Sequence, residues 1–393
     1  MPRCVILLIL LFLWAPLKAQ DWDIWGYGKY LGSRITGYLP QEDALVDHQL
    51  HLRLNSRWYL SPRGTLAMEW RLRAFYGDLP GKLPGFKSFV VSSYPLTDMA
   101  WTLADEGSLF AYAQMDRFFW DYAGDDWQVT IGRQRVAWGT TLVWNVSDLY
   151  NPQSILDFDY EERPGSDVLR FQYFTGPASR WEVVMQPAGK KRQRSLSLMG
   201  AFNRWNYDFY LIMAWQREKP VLAGAFSGDI AGAGFRGEFK ASGHPRSVDL
   251  EETYLPGFVN LSDGRGADVQ MTLSLDYTFA NSLYLHGEIL YNSIGVRENT
   301  ALLAFQAQKA GLLSAARYSL FAETAYQWHP LVRLDLFTLF NPDDRSYILA
   351  PSVSWSAATN LDVYLIGLLG QGNRLSEFGA MGRASYLRLK YSF

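Results

Sequence analysis

His286 and Glu288 stand two residues apart in the run Leu-Tyr-Leu-His-Gly-Glu-Ile-Leu-Tyr at residues 283–291. On an extended strand that spacing puts an imidazole and a carboxylate on one face, the least that proton transfer requires. The remaining histidines, His48, His51, His244 and His329, are scattered, and no Gly-x-Ser-x-Gly, phosphate loop or metal-ligand spacing accompanies any of them. A histidine bonded to a neighbouring carboxylate explains the pair without catalysis. No catalytic residue, cofactor or metal ion is therefore expected.

The second kind of chemistry is electrostatic. Residues 132–165 carry the densest local signature: Gly132-Arg133-Gln134-Arg135-Val136-Ala137-Trp138-Gly139, then Trp144-Asn145, Asp148-Leu149-Tyr150-Asn151-Pro152 and Glu161-Glu162-Arg163-Pro164-Gly165. So aromatic a loop should not wave freely in water. The expectation is that it folds inward and narrows an enclosed space, with Arg133 or Arg135, Trp138, Trp144 and Asp148 at the narrowing; the alternative is a packed external cap. Arg133 and Arg135 share the face of apolar Val129 and Ile131, so a bulge at Gly132 or emergence from lipid is needed to keep them wet.

The elements that position these groups are strands. Residues 268–279 alternate Val269, Met271, Leu273, Leu275, Tyr277 and Phe279 with Asp268, Gln270, Thr272, Ser274, Asp276 and Thr278, and the alternation resumes after the turn Ala280-Asn281-Ser282. Period two of this length means a hairpin with one face for hydrocarbon and one for water. The pattern recurs at 46–60, with Leu50, Leu52 and Leu54 against His51, Arg53 and Asn55, and at most other strands. Aromatics gather near strand ends: Trp58, Trp120, Trp181, Trp205, Trp328, Trp355.

Short and long connections alternate, as in barrels with short periplasmic turns and long external loops. A soluble sandwich would hide one face against a second layer and carry wholly apolar strands. The reading is an all-β, closed antiparallel transmembrane β-barrel of 18 strands, with 16 as the alternative. The first strand is placed at 30–39, and a weakly patterned one at 247–255 restores the up-and-down order.

That register assigns the inward charges. Arg53, Arg57, Arg71, Arg73, Arg170, Arg388 and Lys390 lie on strands near the two chain ends, which closure brings together. Asp208, Asp268, Asp276, Glu288, Glu323 and Asp335 lie on middle and later strands. A basic wall should face an acidic one across the lumen, unless the charges pair with neighbours.

Residues 1–19 read as a secretory signal peptide: a basic start, an apolar run from Val5 to Trp14 and small Ala19 before the cut. The barrel would then occupy 20–393, and the only cysteine, Cys4, would be lost with the signal. A net charge of −2 argues against nucleic acid, while the 16% aromatic content suits interface girdles. The basic loop 189–194 is either solvated or a contact for anionic lipid headgroups.

The Gly-Arg-Gln-Arg…Trp-Gly…Asn-Pro…Arg-Pro-Gly run, the Asp276-Tyr277-Thr278-Phe279…Leu283-Tyr284-Leu285 hairpin and the terminal Phe393 together resemble porin-like outer-membrane β-barrel proteins of Gram-negative bacteria. The last strand, ending in Phe393, is similar to the signal read by the barrel assembly machinery. The resemblance implies an outer-membrane location among lipid and lipopolysaccharide, and a channel for passive diffusion of small hydrophilic solutes, with association of barrels left open. Gly-Arg-Gln-Arg is also similar to polysaccharide-exporting barrels such as the alginate exporter. Those use an Arg/Lys-rich lumen, against the mixed signs here.

Overall fold

In a computed structural model, the structure describes residues 22–37, 44–83, 85–92, 94, 96–150, 162–163, 165–243, 267–309 and 312–393. The signal peptide expected at 1–19 and the strand expected at 247–255 lie outside the described residues.

The first half of the wall is β1 (Trp22–Thr36), β2 (Leu45–Ser61), β3 (Gly64–Gly77), β4 (Ala100–Glu106), β5 (Leu109–Ala123), β6 (Trp127–Gln134), β7 (Ser166–Gly176), β8 (Ser179–Gln186), β9 (Ser195–Arg204) and β10 (Tyr207–Gln216). The second half is β11 (Lys219–Ile230), β12 (Ala233–Ser242), β13 (Asp268–Thr278), β14 (Leu283–Asn292), β15 (Tyr318–His329), β16 (Val332–Asn341), β17 (Ser346–Ala358), β18 (Leu361–Gln371) and β19 (Arg383–Ser392). All pair antiparallel in one sheet, and β19 pairs with β1 from Tyr27↔Ser392 to Thr36↔Arg383, which closes it. The last residue completes the seam: Phe393 exchanges two backbone hydrogen bonds of 2.9 Å with Gly26. Closure matters because an open edge in lipid would leave backbone groups unpaired, at several kcal/mol each.

The strand β4 is an addition to the wall rather than a span. It pairs only with the first half of β5, where β5 has no β6 beside it, while β3 pairs directly with β5. Eighteen spanning strands remain. Eight tight turns, such as Trp205-Asn206 with φ of 55° and 63°, share one end with both termini of the barrel. That end is the periplasmic one by the usual habit of such barrels, and the longer connections mark the outer end.

The protein is inside out relative to a soluble sheet. On β2, Leu50 is 57% exposed while its neighbour but two, Arg53, is 1% exposed. Apolar side chains face outward all round the barrel, and polar ones are packed within it.

Two strand assignments change. The first strand begins at Trp22 rather than Tyr30, its aromatic start being paired with Trp58 and Asn55 of β2. The strand needed to restore the up-and-down order is β11, where Val221, Ala223 and Ala225 occupy the inward face and hide the expected alternation. The connections also hold α1 (Asp78–Lys82), α2 (Phe86–Val90) and α3 (Thr300–Lys309). Phe86 of α2 packs on inward Phe75 and Phe110 at the outer end.

Candidate functional site

The site is the barrel interior where the chain after β6 crosses it. Gly132 makes the entry possible. Its φ is +120°, and a Cβ there would lie 2.3 Å from the Phe118 carbonyl oxygen, so the position takes glycine. The register runs unbroken through Gly132, so the expected bulge does not form, and Arg133 is nevertheless buried although Ile131 faces lipid. Arg133 donates to Asp167 at 2.8 Å and to the Met115 carbonyl at 3.0 Å, contacts the Thr97 carbonyl, and stacks 3.5 Å from the Tyr94 ring centroid. It braces the wall. Arg135, two residues on, remains exposed.

From Val136 the chain spans the lumen. Val136, Trp138, Leu149 and Tyr150 pack against the inward apolar face of β7–β11: Val168, Val184, Met199, Ile212 and Ala223 among others. Trp144 and Val146 reach the opposite wall, against Leu290, Phe321, Leu339 and Ile348. The loop therefore folds inward as expected, and residues 151–161 lie outside the described part.

Carboxylates of the wall bind the loop's backbone. Glu238 of β12 accepts from the amides of Thr140 (2.5 Å), Thr141 (2.8 Å) and Ser147 (2.9 Å), and from both their hydroxyls on Thr141 (2.8 Å) and Ser147 (2.6 Å). Glu288 of β14 accepts from the amides of Leu142 (3.2 Å), Val143 (3.1 Å) and Trp144 (2.6 Å). Asp148 closes the loop on itself, accepting from the amides of Trp138 and Gly139, each at 2.6 Å, and from Arg163. Glu182 of β8 takes the Trp138 indole N–H at 2.9 Å and Arg170 at 2.7 Å. A loop with so many amides turned inward meets four anions, so buried donors are satisfied and buried charge is compensated.

His286 lies beside this anchor. Its Nε2 is 3.0 Å from Ser274 Oγ and 3.5 Å from Glu288, and its Nδ1 is 3.5 Å from Glu323. The order serine, histidine, carboxylate is that of a nucleophile relay, but Ser274 is 0% exposed.

Of the basic set, Arg53 binds Glu69 and Asp116 (2.7 Å), and Arg71 reaches Asp116 (3.2 Å) and Gln114 (2.6 Å). Arg73 donates to Gln49 at 3.1 Å. Arg57 lies over Trp25 at 5.7 Å, Arg388 over Tyr364 at 3.9 Å and Lys390 over Tyr27 at 4.8 Å, all on the wall around the β1–β19 seam. Many of these cations thus carry their own local anions, Glu69, Asp116 and Glu182. The two walls are less separated in sign than a count of the basic residues implies.

Of the acidic set, Glu288 is spent on the loop. Asp208 accepts from Asn203 at 2.8 Å, and Asp268 lies 3.4 Å from the Ser242 hydroxyl. The other three cluster near the periplasmic mouth: Asp276 on Arg236, Glu323 3.6 Å from Arg333, and Asp335 2.7 Å from Arg333. A cavity of about 620 Å³ opens there, lined by Tyr284, Glu323, Gln327 and Arg333.

Sequence reasoning did not single out Glu182, Asp116, Asp167 or Glu238 as site residues. Glu182, Asp116 and Glu238 occupy inward positions of their strands, so alternation alone could have found them, whereas Asp167 shares the parity of lipid-facing Leu169 and Phe171, and alternation points it the wrong way. Their partners, being loop amides or distant arginines, could not be read that way.

No family model and no curated protein matches the chain. Solved structures do. It is similar to OccAB4 of Acinetobacter baumannii, with a TM-score of 0.56 and 8% identity over 96% of this chain and 100% of that one. It is similar to OccD3 (OpdP) of Pseudomonas aeruginosa, with 0.55 and 10% over 95% and 91%. It is also similar to OmpF of Salmonella typhi, solved as a complex with daunomycin, with 0.50 and 12% over 95% and 97%. At such identities the likeness is one of architecture: the chain has the fold of a porin-like outer-membrane β-barrel.

Proposed function

We propose that the protein is an outer-membrane channel for passive diffusion of small hydrophilic solutes, narrowed by its own inward loop. One observation carries the reading: residues 136–150 run across a closed, polar-lined barrel and are tied to its wall by Glu238 and Glu288. A loop in that place limits what passes by size. The charged groups that line the rest of the interior disfavour apolar solutes.

In this reading Arg57, Arg388 and Lys390 on one side and Asp276, Glu323 and Asp335 on the other line the path below the loop. Charged groups of both signs near a narrow path orient dipolar or zwitterionic solutes. Of the remaining predicted lining residues, Arg53, Arg71 and Arg170 are balanced by wall carboxylates, while Arg73, Asp208 and Asp268 hydrogen-bond neutral side chains. Arg135 is the exposed cation nearest the loop's entry.

Export of an acidic polymer is less well supported. Such a polymer needs unneutralised cations, and Arg53, Arg71 and Arg170 already meet Glu69, Asp116 and Glu182. Catalysis at His286 would need an accessible Ser274, and Ser274 is fully buried. Residues 1–19 direct export and are removed, and Phe393 serves recognition by the assembly machinery. Conductance of the purified protein in planar bilayers tests the reading. Steady ohmic steps support it, and a silent bilayer contradicts it.

A further inference from the structure

The connection between β18 and β19, residues 372–382, reaches further than the outer end of the barrel. It is a compact unit. The Ser376 amide and hydroxyl both donate to the Asn373 carbonyl, the Gly379 amide donates to the Ser376 hydroxyl at 3.2 Å, and the Met381 amide donates to the Phe378 carbonyl at 3.2 Å. Phe378 points from this unit into the barrel. It is 3% exposed and packs among Leu290, Leu339 and Ile348 of the wall, in the same cluster as Trp144 and Val146 of the lumen loop. An outer connection and the tip of the loop therefore share one apolar cluster inside the barrel. Withdrawing Phe378 would leave a cavity in it, and the groups around a cavity lose their contacts outright.

What seats Phe378 lies one residue before it. Glu377 accepts from the Ser314 hydroxyl and the Asn341 side-chain amide, its own backbone amide donates to Asp344 at 2.8 Å, and the Phe378 amide donates to the Ser346 hydroxyl at 3.2 Å. Among the described residues, the charge that acts on Glu377 is Asp344, which also accepts from the Ser346 amide and hydroxyl. The cations of the same connections are turned elsewhere. Arg297 reaches toward Asp343 at 3.8 Å, Arg317 toward the Gly295 carbonyl at 3.4 Å, and Arg374 is exposed. Burial, with an anion beside it, pushes the Glu377 carboxyl up to about 7.

We propose that residues 372–382 are a latch on the lumen loop: with Glu377 seated, Phe378 holds the tip at Trp144, and when Glu377 ionises the connection lifts and the tip loosens. A raised acid stabilises the seated state only while it is protonated. The latch is therefore fully closed below about 4.5 and released as pH rises through about 7. Its effect on passage rests on the channel reading above, whereas the coupling of connection to loop does not.

The test uses the full-length protein in detergent micelles. Hydrogen exchange, corrected for the intrinsic rate at each pH, reads the amides of residues 136–150 at pH 5 and pH 8, and single-channel conductance is recorded at the same two values. In the native protein, exchange across 136–150 should be at least about tenfold faster at pH 8, with larger conductance steps. Glu377→Gln, which stays neutral, should keep the slow exchange at both values. Phe378→Ala should exchange fast at both, and Phe378→Leu, which refills the cluster, should restore the dependence on pH.

Glu238 and Glu288 also hold the tip, with His286 beside Glu288. A rise that Glu377→Gln leaves undiminished would belong to those groups and overturn the latch. Equal exchange at both values in the native protein would overturn it too, as would a rise in Phe378→Ala as steep as the native one. If Phe378→Ala fails to fold, Glu377→Gln decides the matter. Bilayers silent at both values, with exchange behaving as expected, would overturn the channel reading and leave the latch standing.

Discussion

The amide of Trp144 donates a 2.6 Å hydrogen bond to the Glu288 carboxylate, joining the tip of the lumen loop to a strand 144 residues further along the chain. With Glu238 holding Thr140, Thr141 and Ser147, this contact fixes how far the loop reaches. The loop is thus fastened at its tip by wall carboxylates rather than only at its base.

Removing those carboxylates should free the tip. Glu288→Ala leaves three amides without an acceptor, and hydrogen bonds to a charged group are worth about 1.5–3 kcal/mol each. The variant should remain a closed barrel, because strand pairing does not involve the carboxylate. It should admit larger solutes in liposome-swelling assays. Glu288→Gln, which keeps one acceptor oxygen, should have a smaller effect. Swelling rates equal to those of the native protein in both variants would show that the tip is held by packing alone.

Gly132 governs entry of the loop. Any side chain there must adopt φ of +120° and displace the Phe118 carbonyl, a strain of about 1–3 kcal/mol before any clash. Gly132→Val should lower the temperature at which the barrel loses its compact electrophoretic mobility. An unchanged transition would mean the backbone at this position relaxes freely.

The periplasmic mouth should set ion preference. Asp276, Glu323 and Asp335 stand there against Arg236 and Arg333. Reversing Glu323 and Asp335 to Lys removes two anions and adds two cations beside the path. The reversal potential in a salt gradient should move toward anion preference, most clearly at low ionic strength where screening is weak. A potential that stays put would take these residues off the path.

Glu377, in the connection between β18 and β19, ties three outer connections together. It accepts from Ser314 at 2.7 Å and Asn341 at 3.0 Å. Burial, with some help from Asp344, raises its carboxyl from the ordinary 4.5 to about 7. A raised acid favours the folded contact when protonated. Its contribution is therefore complete below about 4.5 and is lost as pH rises through about 7. Protease cleavage of the outer connections should accelerate from pH 5 to pH 8 in the native protein, and Glu377→Gln should flatten that rise. A rise equally steep in the variant would assign it to other groups.

Much of the barrel was legible because period two is written plainly where one face meets lipid and the other meets water. Leu50, Leu52 and Leu54 against His51 and Arg53 leave no other reading. It failed at β11 for a physical reason: Val221 and Ala223 face inward onto the apolar side of the loop and Ala225 is buried on the same face, so both faces of the strand are apolar or small. The same packing hid the site. Trp138 and Trp144 advertised an ordered loop, but nothing local told Glu238 and Glu288 apart from other inward acids. Their role comes from amides more than 90 residues away.

Single-channel conductance, recorded side by side for the native protein and the Glu238→Ala/Glu288→Ala double variant, tests the whole account most directly. Ohmic steps from the native barrel, with larger steps once the loop tip is unfastened, are the predicted result. Bilayers that stay silent with both proteins, while each is shown to be folded and inserted, would contradict it.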